Sequence, residues 1–132
     1  TTEIYTLSLH DALPICAEEF RSAITNFLYD GICQRRDVIQ PIYERLCHFY
    51  QCVSEQDTFR FYSSSLLIIY EGRASAGTPS RVDVRAIDFA HTINESTAIH
   101  NSRTQVHKGP DKGYLLGIKT LIDVFGELLP KC

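Results

Sequence analysis

Residues 59–91 hold two apolar runs separated by a stretch that can continue neither of them, which commits this part of the chain to a β-hairpin. The first run is FRFYSSSLLIIY, residues 59–70, and the second is VDVRAIDFA, residues 82–90. Both are rich in β-branched and aromatic residues and are bounded by turn formers, so they read as antiparallel partners. Residues 72–80, GRASAGTPS, have loop composition and no apolar period. This loop is expected to be exposed, mobile and tolerant of insertion. Period-two alternation in the second run puts Val82, Val84, Ala86, Asp88 and Ala90 on one face. Asp88 is then expected among aliphatic side chains, where an ionised carboxylate needs a partner, hydrogen bonds or a metal. A strand-end Asp of this kind either caps a turn or meets a cation.

Helical periods flank the hairpin. Phe20, Ile24, Phe27 and Leu28 make residues 17–29 an amphipathic helix, ended by Asp30-Gly31. A second helix carries the stripe Val38, Ile42, Leu46, Phe49 and Val53, with Asp37 as the expected N-cap and Pro41 near the first turn. Arg35-Arg36, in the connection, reads as a solvated charge pair. Residues 94–108 are polar and irregular and read as a surface excursion. Asp111 is the expected N-cap of a last helix over residues 111–129, striped by Leu115, Ile118, Ile122, Phe125 and Leu129, although Gly113 in its first turn is a poor helix former. The pattern as a whole is α+β, with helices packed on a small antiparallel sheet.

Composition excludes several classes. The net charge of −3 is not that of a polybasic nucleic-acid binder, and no nucleic-acid partner is expected. No run approaches the apolar length of a membrane span. The cysteine count of five is odd, and no CxxC or zinc-like Cys/His spacing occurs. Cys47 and Cys52 fall on one helix and do not face each other closely enough to bridge, and His48 reads as a helix-surface residue. Reduced thiols fit a cytoplasmic or nuclear protein.

Three blocks, FYSSSLLIIYEG, VDVRAIDFAHT and GPDKGYLLGIKTLI, resemble the inositol polyphosphate kinase family, and are most similar to its inositol hexakisphosphate kinases. The resemblance runs from about residue 20 to about residue 129. It implies the C-terminal lobe of a two-lobed kinase fold. It also implies ATP and Mg²⁺ as cofactors and an inositol phosphate substrate, with transfer of the γ-phosphate to inositol hexakisphosphate to form a diphosphoinositol phosphate. By resemblance Asp88 is the catalytic carboxylate that coordinates magnesium at the nucleotide. His91 lies near the reacting inositol, and Ile87 lines the adenine pocket. Ser64 and Ser65 orient groups at the substrate site. Lys108 and Lys112 read as surface charges. The multikinase and trisphosphate 3-kinase branches share the Ile-Asp-Phe block and stand as alternatives. A non-catalytic interaction module built on the same half-domain is the alternative of another class.

The family's PxxxDxKxG string does not occur in the 132 residues, nor do the expected ATP lysine and adenine hinge. These residues by themselves are therefore expected to be inactive. Residues 1–15, TTEIYTLSLHDALPI, back-translate into a widely used short-read sequencing adapter. The expected organisation is an adapter-derived segment over 1–15 and a partial inositol polyphosphate kinase domain over 16–132. Without residues 1–15, which carry Glu3 and Asp11 and no Lys or Arg, the net charge is −1. Such a segment is expected to contribute no docked element.

Overall fold

The computed structural model describes residues 16–94 and 108–131, together with the backbone of Ile4–Leu9. Among the described residues, three helices pack against two small antiparallel sheets. In chain order the elements are β1 (Ile4–Leu9), α1 (Ala17–Phe27), a 3-10 turn (Arg36–Val38), α2 (Ile39–Glu55), β2 (Arg60–Tyr62), β3 (Ser65–Glu71), β4 (Val82–Ile87), β5 (His91–Ile93) and α3 (Lys112–Leu128). The first sheet has the order β1-β3-β4, and the second pairs β2 with β5.

The apolar stripes read from the sequence are the faces that pack. Ile24 and Leu28 of the α1 region, Val38, Ile42 and Leu46 around α2, and Phe125 of α3 are all fully enclosed. On β3 the period of two selects Leu66, Ile68 and Tyr70 for the core. Val82 and Val84 of β4 stand opposite Tyr70 and Ile68 and pack on the same cluster. Each such aliphatic side chain stabilises the fold by roughly 1.5–3 kcal/mol through burial alone.

Several expected boundaries move, each for a local reason. The first helix stops at Phe27 rather than at residue 29. The Asp30 carboxylate accepts from the backbone N–H of Ile32 and Cys33, at 2.9 and 2.8 Å, and Gly31 takes φ +90°, so a tight turn replaces the last helical turn. Asp37 is not the N-cap of α2. A 3-10 turn precedes that helix, and Asp37 is instead drawn to Arg35. The run over 59–70 is two strands in different sheets, not one. Asp111 does cap α3, accepting from the backbone N–H of Tyr114 at 3.1 Å. Residues 1–15 were expected to contribute nothing docked, yet the backbone of β1 pairs along β3 from Ile4↔Glu71 to Leu9↔Leu66. A sheet edge offers a row of free N–H and C=O groups to any extended backbone, whatever its side chains. The excursion expected over 94–108 lies almost wholly outside the described residues. The cysteines described, Cys16, Cys33, Cys47 and Cys52, are all free.

Arg35 is the largest departure from expectation. It is buried, at 7 % exposure, and is no solvated charge. Its Nε and Nη2 grip both Asp37 carboxylate oxygens, at 2.9 and 2.8 Å. Nη2 also donates to the Ser80 hydroxyl at 2.6 Å, and Nη1 donates to the Gly72 carbonyl. The guanidinium lies 5.5 Å from the Tyr70 ring centroid. Tyr70 in turn donates its hydroxyl to the Phe27 carbonyl at 2.6 Å and meets the Phe27 ring edge-on. One side chain thereby clamps the α1–α2 connection to both ends of the β3–β4 loop.

Arg35→Ala should lower stability by about 2 kcal/mol, because it leaves the buried Gly72 carbonyl without its donor and removes two charge-assisted hydrogen bonds from Asp37. Urea denaturation reads this directly, and a loss under about 0.5 kcal/mol would show that the clamp contributes little. The same clamp sets a pH dependence. The hydrogen bonds from Arg35 hold the Asp37 carboxyl at about 2, below its ordinary value. A folded-state value below the unfolded one stabilises at higher pH, so this contribution is present above about pH 4 and fades as the pH falls toward 2. Solvent screens it, since the Asp37 side chain is half exposed. Asp37→Asn should therefore flatten the fall in melting temperature between pH 4 and 2; an identical acid limb in parent and variant would refute the assignment.

Candidate functional site

Strands β2 to β5 form one long hairpin with a fault in its ladder. Ser65 pairs with Ile87 at the end of the first sheet, and Tyr62 pairs with His91 at the end of the second. Between these pairs, Ser63 and Ser64 on one strand face Asp88, Phe89 and Ala90 on the other. The mismatch of two residues against three is the count of a β-bulge, a device that bends a strand and re-aims its side chains. Both strands turn here through left-handed backbone, Ser63 at φ 54° and Asp88 at φ 65°. Asp is among the few non-glycine residues that tolerate this region.

This geometry corrects the expected position of Asp88. The alternation Val82, Val84, Ala86 holds through β4, but the left-handed turn takes Asp88 out of register, and its side chain is exposed rather than set among aliphatics. Its carboxylate accepts no hydrogen bond among the described residues. Phe89, next along, is 50 % exposed, and its carbonyl accepts from the Thr92 N–H at 3.0 Å, closing the turn.

The remaining expected residues gather around the same fault. Ile87 is the last residue of β4, half-buried, directly across from Ser65. Ser65 is fully buried. Ser64 is half-buried and donates its hydroxyl to the Phe61 carbonyl at 3.1 Å. His91 opens β5 with an exposed imidazole, opposite Tyr62. The structure therefore brings Ser64, Ser65, Ile87, Asp88 and His91 to one fault line. Lys108 and Lys112 are exposed, as expected of surface charges.

The fault is anchored from below by α3. Asp111 caps the helix with one carboxylate oxygen and accepts the Phe61 N–H with the other, at 2.9 Å. Arg60 donates to the carbonyl of Gly109 at 2.9 Å, and Asp57 accepts the Gly109 N–H at 2.8 Å. The GPD segment is thus fastened to β2 and to the bend that precedes it. Tyr114 packs its ring 4.9 Å from that of Phe61. Its hydroxyl and that of Thr92 are buried and without a hydrogen-bond partner among the described residues. Ser63, Thr92 and Tyr114 were not found from the sequence. Ser63 is one of three consecutive serines, and nothing local marks the one that turns.

No three His, Cys, Asp or Glu side chains gather among the described residues. A lone exposed carboxylate still fits one role in metal binding. Mg²⁺ takes hard oxygen ligands, keeps several waters, and is commonly held by one or two carboxylates plus substrate phosphates.

A family model described as inositol polyphosphate kinase matches residues 5–126. Inositol hexakisphosphate kinase 3 of Mus musculus is 37% identical over 126 residues, covering 86% of this chain and 31% of the relative. Inositol hexakisphosphate kinase 2 of Homo sapiens is 32% identical over 144 residues, covering 86% and 33%. The chain therefore spans about a third of the length of these relatives. Among solved structures, an inositol phosphate multikinase from S. cerevisiae in complex with ADP and Mn2+ superposes with a TM-score of 0.66 at 24% identity, covering 86% of this chain and 47% of that one. A second inositol phosphate multikinase structure gives 0.64 at 19%, covering 87% and 50%. At such identity the two structures establish the likeness of fold. With the family model matched over residues 5–126, the chain belongs to the inositol polyphosphate kinase family.

Proposed function

We propose that these residues form the part of an ATP-dependent inositol phosphate kinase that carries its metal carboxylate. The whole protein then transfers the γ-phosphate of ATP to inositol hexakisphosphate, giving a diphosphoinositol phosphate. The observation that carries this reading is Asp88: an exposed carboxylate with no competing hydrogen bond among the described residues, held in a left-handed turn at a ladder fault, inside the family's Ile-Asp-Phe block. The hexakisphosphate branch is favoured by relatives named as hexakisphosphate kinases at 37% and 32% identity.

Phosphoryl transfer asks a protein for positioning and for charge neutralisation. A divalent cation held at Asp88 would supply that neutralisation at the nucleotide phosphates. The chain's own residues do the rest. Asp88 offers hard oxygens from a turn that strands enter on both sides. His91, three residues on, presents an imidazole that can donate to a substrate phosphate or hold the attacking hydroxyl. Ile87 gives the nucleotide an apolar neighbour. Ser64 and Ser65 brace the opposite strand. The 132 residues hold no PxxxDxKxG string, and alone they should turn over no inositol phosphate. Their free thiols fit a cytoplasmic or nuclear site of action.

Two substitutions at one position separate chemistry from folding. Asp88→Asn keeps the shape and the tolerance for left-handed backbone but removes the charge. In the whole kinase it should cut the rate roughly a thousandfold while leaving the thermal melt unchanged. Asp88→Val should also lower stability by about 1–2 kcal/mol, because a β-branched residue resists positive φ. A near-normal rate for Asp88→Asn would reduce Asp88 to a turn residue.

A further inference from the structure

We propose that Thr78 is a phosphoacceptor for a proline-directed protein kinase, one that also reads a basic residue three positions after the acceptor. The loop between β3 and β4 is built for presentation. Arg35 holds its two ends, through the Gly72 carbonyl and the Ser80 hydroxyl, while residues 75–79 at its tip are all exposed. Gly77 turns the chain at φ +81°, and the Thr78 N–H donates to the Ser75 carbonyl at 2.9 Å, so Thr78 stands at the tip of a turn on a fixed base. Its hydroxyl makes no hydrogen bond among the described residues.

The flanking chemistry selects Thr78 from its neighbours. A protein kinase that buries the backbone after its acceptor leaves an unpaired N–H there, a costly arrangement with every residue except proline. Pro79 follows Thr78. Arg81, the third residue on, is exposed, and its guanidinium makes no ion pair among the described residues, so it is available to an acidic subsite. Ser75 is followed by Ala76 and lacks this arrangement. Ser80 is followed by Arg81, and its hydroxyl is engaged, accepting from Arg35 and donating to Asp37 at 2.8 Å.

In the reaction the Thr78 oxygen attacks the γ-phosphorus of ATP on the protein kinase. The bond to the β–γ bridging oxygen breaks, ADP leaves, and the hydroxyl proton passes to the protein kinase's carboxylate. The product carries a charge of about −2 two residues from the Arg35 clamp. The proposal is independent of the inositol kinase reading.

The test incubates the 132-residue chain with ATP and a cyclin-dependent-type kinase and maps phosphate by mass spectrometry. Incorporation at Thr78 is expected. Thr78→Ala and Pro79→Ala should each reduce it by about tenfold or more. Arg81→Gln should reduce it less, and all three variants should keep the parent's thermal melt. Phosphate placed on Ser75 or Ser80 instead, no incorporation in the parent, or parent-like labelling of Pro79→Ala would each overturn the proposal.

Discussion

The count of two residues against three where β2 and β3 face β4 and β5 governs how the rest of the chain is arranged. In an unbroken ladder every side chain would keep its face, and Asp88 would point with Val84 and Ala86 into the core. The extra residue shifts the register by one at that point. It ends both sheets, turns Asp88 outward and leaves Ser65 buried beneath the turn. Left-handed backbone at Ser63 and Asp88 is the local expense of that shift. Asp111 offsets it from the helix side, since one carboxylate caps α3 and holds β2, the strand just before the fault. Helix, strand and fault are therefore positioned by a single side chain.

The far end of the same hairpin is held differently. There the loop ends are tied by Arg35, whose guanidinium donates to Gly72, Ser80 and Asp37 at once. A planar fork with several fixed donors suits this task, where a lysine ammonium would satisfy fewer acceptors in the right geometry. Tyr70 extends the tie to α1 through the Phe27 carbonyl. The hairpin is thus pinned at both ends with its core strands between, which leaves the fault line little freedom to relax.

Periodicity exposed what depends on neighbours three, four or two positions away. The stripes through Ile24, Ile42, Leu46, Ile118 and Phe125 were legible for this reason, as was the Asp111 cap, which bonds three residues ahead. What stayed hidden depends on distant partners. Arg35 looked like a surface charge because two of its acceptors, Gly72 and Ser80, lie 37 and 45 residues away. The break at Ser63 was invisible because the run over 59–70 has strong β propensity throughout, and the register shift is written in the opposite strand. The backbone of β1 escaped because edge pairing needs no side-chain pattern. The candidate site residues were named through resemblance, whereas alternation alone placed Asp88 on the wrong side of the sheet.

The left-handed turn also explains why this position suits aspartate and no close substitute. Glycine would satisfy the backbone and supply no ligand. Asparagine would satisfy the backbone and supply a neutral oxygen, a weak competitor for a divalent cation. Glutamate would supply the charge, but it lacks the short side chain that can hydrogen-bond locally and ease left-handed backbone. It would also carry that charge on a longer, less ordered arm. Aspartate alone combines tolerance for φ 65° with a short, charged, hard-oxygen head. The fold needs a turn former at the ladder fault, and the proposed chemistry needs a carboxylate fixed in space. One residue meets both demands because the strain that re-aims the strand is the strain that aspartate bears.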